Sequence, residues 1–492
     1  MSTSVPPPAD QREFKRELRL LDSTMIVIGS MIGSGIFIVS ADIARTVGSP
    51  GHLLLVWLIT GVITIIGALS YGELAGMMPH AGGQYVYLRE AYNPLVGFLY
   101  GWTLFLVIQT GTIAAVAVAF AKFTAVLIPE VGSNVILLTL AGFKISAAQI
   151  LAIVSVVILT FINSRGLHGG KIVQVTFTIA KTAALLALIV LGIAVGRNPA
   201  AVQANLARFW EASWTHFSDG AILGVEPLTG IGLMAAIGVS MVGSLFSSDA
   251  WNNITFTSAE VLNPRRNIPL ALALGTGTVI LLYFLANVSY LLVLPLHGSP
   301  DGADAMGRGI QFAADERVGT AAASVIFGPV AAVIMAVLVM VSTFGCNNGL
   351  ILAGARVYYA MAKDGLFFKR IGALNAKSVP GFALAAQAVW ASLLCLSGTY
   401  SDLLDYVIFA VLIFYILTVA GIFILRKKRP DIERPYRAFG YPLFPALYIL
   451  AAATICIALL VLKPAYTWPG LVIVFLGIPA YFLWKRGLQN QK

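Results

Sequence analysis

Charged side chains are scarce in this chain. Asp, Glu, Lys and Arg together make up 11% of its 492 residues, against about 25% in soluble globular domains, and that shortage excludes a water-soluble fold. Cysteine is nearly absent as well. Cys346, Cys395 and Cys456 all lie in or beside apolar stretches, with none in a connection expected to face outward, so an extracellular disulfide framework is excluded. The five histidines (His52, His80, His168, His216 and His297) are scattered without metal-ligand spacing, and no P-loop or nucleophile–base motif occurs, which leaves enzymatic chemistry, a metal site and a cofactor without support. The start of the chain lacks a cleavable signal-peptide pattern: Pro6-Pro7-Pro8 precedes a charged stretch from Gln11 to Arg19, and the N-terminal tail is expected to stay in the cytoplasm.

What the chain has is apolar length. Hydrophobic residues make up 58%, and runs of about 20 residues, enough to cross a bilayer as helix, fall near 22–45, 52–78, 95–128, 147–163, 171–196, 230–257, 269–296, 321–346, 380–398, 403–425, 441–462 and 468–484. The expectation is an all-α polytopic membrane protein of twelve transmembrane helices. Most of the 32 Lys and Arg residues lie in the two tails and the even-to-odd connections, which puts both termini inside by the positive-inside rule. The net charge of +10 has its source in that asymmetry, notably Arg426-Lys-Lys-Arg429 with Arg434 and Arg437. A membrane-surface role accounts for it, and nucleic-acid binding is not expected.

Two of the apolar runs are interrupted. In Met25 to Val39, Gly29, Gly33 and Gly35 with Ser30 and Ser34 break the pattern midway; in Gly243 to Trp251, Ser247, Ser248 and Asp249 do so. Small residues in one span are compatible with tight helix packing alone. Two interruptions at corresponding places instead point to discontinuous helices around a midplane site, because unwound backbone survives in a membrane only where it lines a cavity or is buried in protein. Half-helix ends offer N–H groups to an anion and C=O groups to a cation, a pair that a zwitterionic amino acid satisfies. Spans 1–5 (22–196) and 6–10 (230–426) are then expected as two inverted repeats, followed by spans 11 and 12 (441–484), with tails at 1–21 and 485–492. The longer connections at 200–229 and 297–320 are expected to be outward lids or surface loops, and Met78 to Tyr92 a short interfacial helix.

Ile32-Gly-Ser-Gly-Ile-Phe37, Tyr71-Gly-Glu-Leu74 followed by Pro79, Gly82, Gly83 and Tyr85, the Phe246 to Asn252 segment, Glu260 with Asn263 to Pro269, Phe344-Gly345 with Asn348-Gly349, and Arg426 with Pro430 and Glu433-Arg-Pro435 form an ordered set. With these motifs the whole chain resembles the amino acid, polyamine and organocation transporters, and within them bacterial relatives of the L-type amino acid transporters. The resemblance implies a sodium-symporter-like fold and alternating access. It implies that the substrate carboxylate meets the amides of Gly33, Ser34 and Gly35, and the ammonium the carbonyls of Met31, Phe246, Ser247 and Asp249. Phe246 becomes an outward gate, and Trp251 with Asn252 lines the side-chain pocket. Ser248 and Ala250 depart from the family's aromatic and glycine at those places, which alters the pocket and leaves the role of Asp249 open between substrate contact, pairing with a span-end base and helix capping.

Lys181 stands at mid-span, where a cation costs about 2.5–3.5 kcal/mol on insertion scales. The resemblance places its ammonium where sodium-coupled relatives hold a sodium ion, near the first break and Ser342 or Thr343. Glu73 and Arg356 are expected in inner charge networks, structural or gating, with Glu260 a further candidate acid. The functional expectation is a sodium-independent exchanger of small or medium neutral amino acids in a plasma membrane, the compact loops suggesting a bacterial inner membrane. A proton-coupled symporter, with cationic substrates admitted through Asp249 as a variant of it, is the second reading, and an amino acid sensor on a transporter fold a more distant one. The expected partners are the amino acid and the lipid bilayer, with no disulfide-linked accessory subunit, since 129–146 lacks cysteine.

Overall fold

The computed structural model describes residues 13–140, 143–218, 220–397, 400–462 and 464–489; residues 1–12 and 490–492 of the expected tails lie outside them. Among the described residues, ten helical segments are long and apolar enough to cross a bilayer, and two shorter apolar helices, Leu20–Met31 and Gly381–Leu396, stand where spans 1 and 9 were expected. The molecule is an integral membrane protein, helical apart from two hairpins.

The order begins with α1 (Leu20–Met31), an irregular stretch holding a 3-10 turn at Gly35–Phe37, and α2 (Ser40–Val47). Then come α3 (Pro50–Met77), the short α4 (Gln84–Ala91), α5 (Pro94–Thr103), a π turn at Leu104–Ile108, and α6 (Gln109–Leu127). A hairpin of β1 (Ile136–Leu140) and β2 (Phe143–Ser146) leads to α7 (Ala147–Ser164), α8 (Leu167–Ala194) and α9 (Pro199–Ala207). The second hairpin, β3 (Ser213–Ser218) with β4 (Ala221–Pro227), precedes α10 (Gly230–Ser247), α11 (Asn253–Phe256) and α12 (Pro264–Val293). The chain closes with α13 (Ala305–Arg308), α14 (Val318–Phe327), α15 (Ala331–Lys363), α16 (Gly381–Ser397), α17 (Tyr400–Lys428), α18 (Leu443–Leu462) and α19 (Pro464–Gln489).

Local chemistry sets several of these boundaries. Ser49 and Asn93 cap α3 and α5, each followed by a proline at the first helical position, where its missing N–H costs nothing. Ser146 and Gln149 form a reciprocal capping box on α7, satisfying two orphan donors.

Three boundaries differ from the sequence expectation. The apolar run at 321–346 is two helices: Gly328, at φ +65°, and Pro329 separate α14 from α15, since proline cannot continue the preceding helix. The β3–β4 hairpin was not anticipated; it folds over α2, with the Ser213 backbone pressed on Gly48. Finally, Gly29 and Ser30 lie inside α1, not in the break. A Cβ on Gly29 would stand 2.0 Å from Gln174 Nε2 and 2.2 Å from Thr178 Oγ1, so this glycine lets α8 approach. Small-residue packing and a broken helix thus share one motif.

Packing neighbours recur in a pattern. α1 packs on α12 and α8, and α10 on α3 and α17; α8 packs on α15, and α17 on α6; α6 packs on α16, and α15 on α7. Exchanging α1, α3, α6, α7 and α8 for α10, α12, α15, α16 and α17 maps each of these pairings onto another.

Candidate substrate site at two helix breaks

Ending α1 at Met31 strands the carbonyls of its last turn, which need donors when buried. The Ile32 amide reaches Ile28 O at 3.0 Å. Each of the next five carbonyls receives a side chain from another helix. Lys181 Nζ donates to Gly29 O and Ile32 O at 2.6 Å each, Cys346 Sγ to Ser30 O at 3.0 Å, the Tyr283 hydroxyl to Met31 O at 3.1 Å, and the Ser342 hydroxyl to Gly33 O at 2.9 Å. The carbonyl side of the break is therefore closed.

The amide side is not. Gly33 N–H has no backbone acceptor among the described residues, and Gly35 opens the 3-10 turn, where the first donors lack intrahelical partners. An opening with free donors, at the positive end of a turn and beside a buried ammonium, favours an anionic group.

The second break faces the first. α10 ends at Ser247, whose hydroxyl bonds back to Gly243 O at 2.8 Å. A Cβ on Gly35 would fall 2.1 Å from Ser247 Oγ. Phe246 O accepts the Asp249 amide at 3.2 Å, while no backbone amide among the described residues reaches the carbonyls of Ser247 or Asp249. The chain then turns through Ala250, at φ +66°, a left-handed conformation that costs a residue with a Cβ about 1 kcal/mol. Strain is concentrated at the centre of this break.

The predicted residues separate into those the fold gathers and those it does not. Met31, Gly33, Ser34, Gly35, Ser247, Ser248, Trp251 and Asn252 are buried around the two breaks, with Phe246 and Asp249 part-exposed. The Tyr415 hydroxyl donates to Asp249 Oδ1 at 2.6 Å, so the carboxyl is tied to α17 and not to a span-end base. Trp251 is wedged edge-on against Tyr71, with ring centroids 4.7 Å apart, and lies 5.1 Å from Tyr415. It borders a cavity with Thr64, Ser248 and Tyr448, and the Ser248 hydroxyl has no partner there among the described residues. Asn252 donates to Gln84 Oε1 at 2.9 Å.

Lys181 meets the backbone of Ser342, which accepts through its carbonyl at 3.3 Å, whereas the Ser342 hydroxyl serves the break. Thr343 does not join them. Its hydroxyl turns back onto Val339 O at 2.7 Å, as threonine commonly does within a helix.

Glu73 and Arg356 belong to separate ion pairs at the end of the bundle where the chain starts. Arg426 grips Glu73 with bonds of 2.9 and 2.7 Å, and the Ala438 amide adds a third at 2.7 Å. Arg356 holds Glu260 at 3.0 and 2.8 Å, both side chains nearly fully buried. The backbone of Glu17 and Leu18 donates to Glu260 O, and the Phe14 ring sits 4.9 Å from Tyr359. At the opposite end Arg45 donates to Gln311 O at 2.8 Å and to Glu316 at 2.5 Å, tying α2 to the connection before α14.

Tyr283, Cys346 and Tyr415 were not anticipated. Nothing local in the sequence around any of them signals what it caps.

With this geometry in place, the comparisons decide the family. Residues 18–480 match the amino acid permease family. The chain belongs to that family. It is 31% identical over 475 residues to the Mus musculus protein named large neutral amino acids transporter small subunit 2, covering 96% of this chain and 81% of that one. It is 27% identical over 482 residues to the Homo sapiens b(0,+)-type amino acid transporter 1, covering 96% and 88%. It is a transmembrane permease of the amino acid, polyamine and organocation superfamily, not an enzyme, and its substrate class is amino acids.

Proposed function

We propose that this permease exchanges small or medium neutral amino acids, without sodium, by alternating access. The observation that carries the reading is the asymmetry of the first break: five carbonyls met by side chains, one donor being the Lys181 ammonium, against the Gly33 and Gly35 amides, which have no backbone acceptor among the described residues. The substrate carboxylate binds at Gly33, Ser34 and Gly35, and its ammonium at the carbonyls of Ser247 and Asp249. Met31 O and Phe246 O already have donors, which makes them secondary acceptors. The mapping of packing neighbours supports twelve spans built as two five-span inverted repeats plus two. The basic cluster after α17 supports placing both termini in the cytoplasm.

On this reading the Glu260–Arg356 and Glu73–Arg426 pairs close the cytoplasmic side, and Arg45 with the β3–β4 hairpin the outer side. Phe246 covers the bound substrate from outside. Phe246→Ala should slow exchange at least about tenfold while equilibrium binding weakens less, because a lid acts on rate and commitment; a wild-type rate in that variant would remove the gate. No cysteine lies at 129–146, which supports function without a disulfide-linked subunit.

Counterflow in proteoliposomes tests the whole reading. Labelled neutral amino acid should accumulate when unlabelled substrate is loaded inside, with no pH gradient and in choline as in sodium. Uptake that needs an inward proton gradient and no internal substrate would establish the proton-coupled reading instead.

A further inference from the structure

The outer face of α16 is indented. Phe382, Ala385, Ala386 and Val389, spaced along one side of the helix, line an open groove of about 450 Å³. Phe382 and Val389 are 58% and 63% exposed, with the two alanines as the floor between them. Trp390 closes the far end, stacked on Phe105 with ring centroids 6.4 Å apart and donating to Leu106 O at 3.0 Å. Phe382 to Trp390 spans about 12 Å of helix, close to the depth of one leaflet, about half of a 30 Å hydrocarbon core. Arg370 lines the near end, and it is the one charged residue among those lining the groove.

That near end lies where the chain starts. α15 runs from Arg356, which faces the Phe14 ring, to Lys363, and the turn Lys369–Gly372 packs back on it. Arg370 is exposed, and its side chain forms no ion pair or hydrogen bond among the described residues. Further cations gather at this rim. Asn375 Nδ2 donates to Ser164 O at 2.8 Å, which brings Arg165 alongside, and Phe368, 61% exposed, packs edge-on to Trp484 at 4.9 Å, next to Lys485 and Arg486. No Asp or Glu occurs between Glu130 and Glu211, between Asp364 and Asp402, or after Glu433, so these segments carry no acid of their own to neutralise the rim. Exposed aromatics beside unneutralised basic residues suit the headgroup level of an anionic leaflet.

We infer that this groove binds one anionic phospholipid: Arg370 holds the phosphate, and an acyl chain lies along α16 as far as the Phe105–Trp390 pair. The apolar channel accepts any acyl chain, and the basic rim selects a headgroup of net negative charge. A guanidinium suits a phosphate well, because its planar fork donates two parallel charge-assisted bonds. A second copy of this chain is the poorer occupant. A two-fold contact over the groove would set its cations against their own copies.

The test is lipid binding to the delipidated, detergent-purified full chain, followed by native mass spectrometry with phosphatidylglycerol and phosphatidylcholine of identical acyl chains. The wild type should take one phosphatidylglycerol about tenfold more tightly than phosphatidylcholine, the effect of one or two basic contacts at a membrane surface. Arg370→Gln should remove that preference, and Ala385→Trp, which fills the groove, should weaken both lipids about tenfold. Arg370 and Ala385 are exposed, so neither variant disturbs the core. Phosphatidylglycerol brominated on its acyl chains should quench the wild type more than Trp390→Phe, which places the chain in the groove. Equal binding of the two lipids by the wild type, an unchanged preference in Arg370→Gln, or equal quenching of wild type and Trp390→Phe overturns the site. A dimer that Ala385→Trp dissociates would assign the groove to a second copy and overturn it as well. None of these outcomes bears on counterflow, so the proposed function stands or falls separately.

Discussion

Gly35→Ala will abolish transport while the protein still folds and purifies. The added Cβ would stand 2.1 Å from Ser247 Oγ, 2.8 Å from Ser247 Cβ and 3.2 Å from Ser247 Cα. Ser247 cannot turn aside cheaply, since its hydroxyl is bonded to Gly243 O, and rotating the side chain leaves the backbone where it is. Either the two breaks part or the turn at Gly35 distorts, and overpacking of this kind costs about 1–3 kcal/mol. At 3 kcal/mol the affinity loss is about 100-fold, and the carboxylate amides lose their geometry as well. Gly33→Ala makes a controlled contrast: its Cβ would meet only Cys346 Sγ, at 3.6 Å, an ordinary van der Waals separation. Steric cost therefore predicts a much smaller defect at Gly33 than at Gly35. Saturable uptake by Gly35→Ala at normal affinity would remove this turn from the binding site.

Much of this arrangement was legible because membranes tolerate few exceptions. Gly33 to Gly35 and Ser247 to Asp249 stand out in apolar runs, and Lys181 stands out by its insertion cost, so these positions announce themselves. Their partners do not. Tyr283, Cys346 and Ser342 sit 252, 316 and 309 residues from the carbonyls they cap, and nothing local in the chain states that pairing. Thr343 was a fair alternative to Ser342 by neighbourhood; helical phase sends its hydroxyl to its own helix. The division of α14 from α15 had a visible sign in Gly328-Pro329, masked by the apolar composition on both sides. The π turn at Leu104–Ile108 had none, since an added residue in a helix leaves hydropathy unchanged. It borders a small cavity that Asp249 and Asn252 also line, and such turns tend to mark functional places.

Lys181 is the residue whose loss should reach furthest. It is 1% exposed, and its ammonium bridges Gly29 O, Ile32 O and Ser342 O, so it joins α8 and α15 to the first break. Lys181→Ala strands Gly29 O, at about 1–3 kcal/mol, leaves Ile32 O with only the Ser342 hydroxyl at 3.2 Å, and opens a cavity besides. Transport should fall at least about 100-fold. Lys181→Met, which restores the volume but not the donors, should recover expression and thermal stability more than transport. The same charge governs sodium. Two unit charges about 4 Å apart repel by about 4 kcal/mol at an effective dielectric constant near 20, roughly a thousandfold in occupancy. Wild-type exchange should consequently be equal in sodium and in choline at matched ionic strength. Sodium-stimulated exchange by the wild type, or full activity of Lys181→Ala in both buffers, would refute an ammonium standing in for a bound cation. Loss in the alanine variant, with the wild type indifferent to sodium, would tie the closed carbonyl side of the break to the open amide side that meets the substrate.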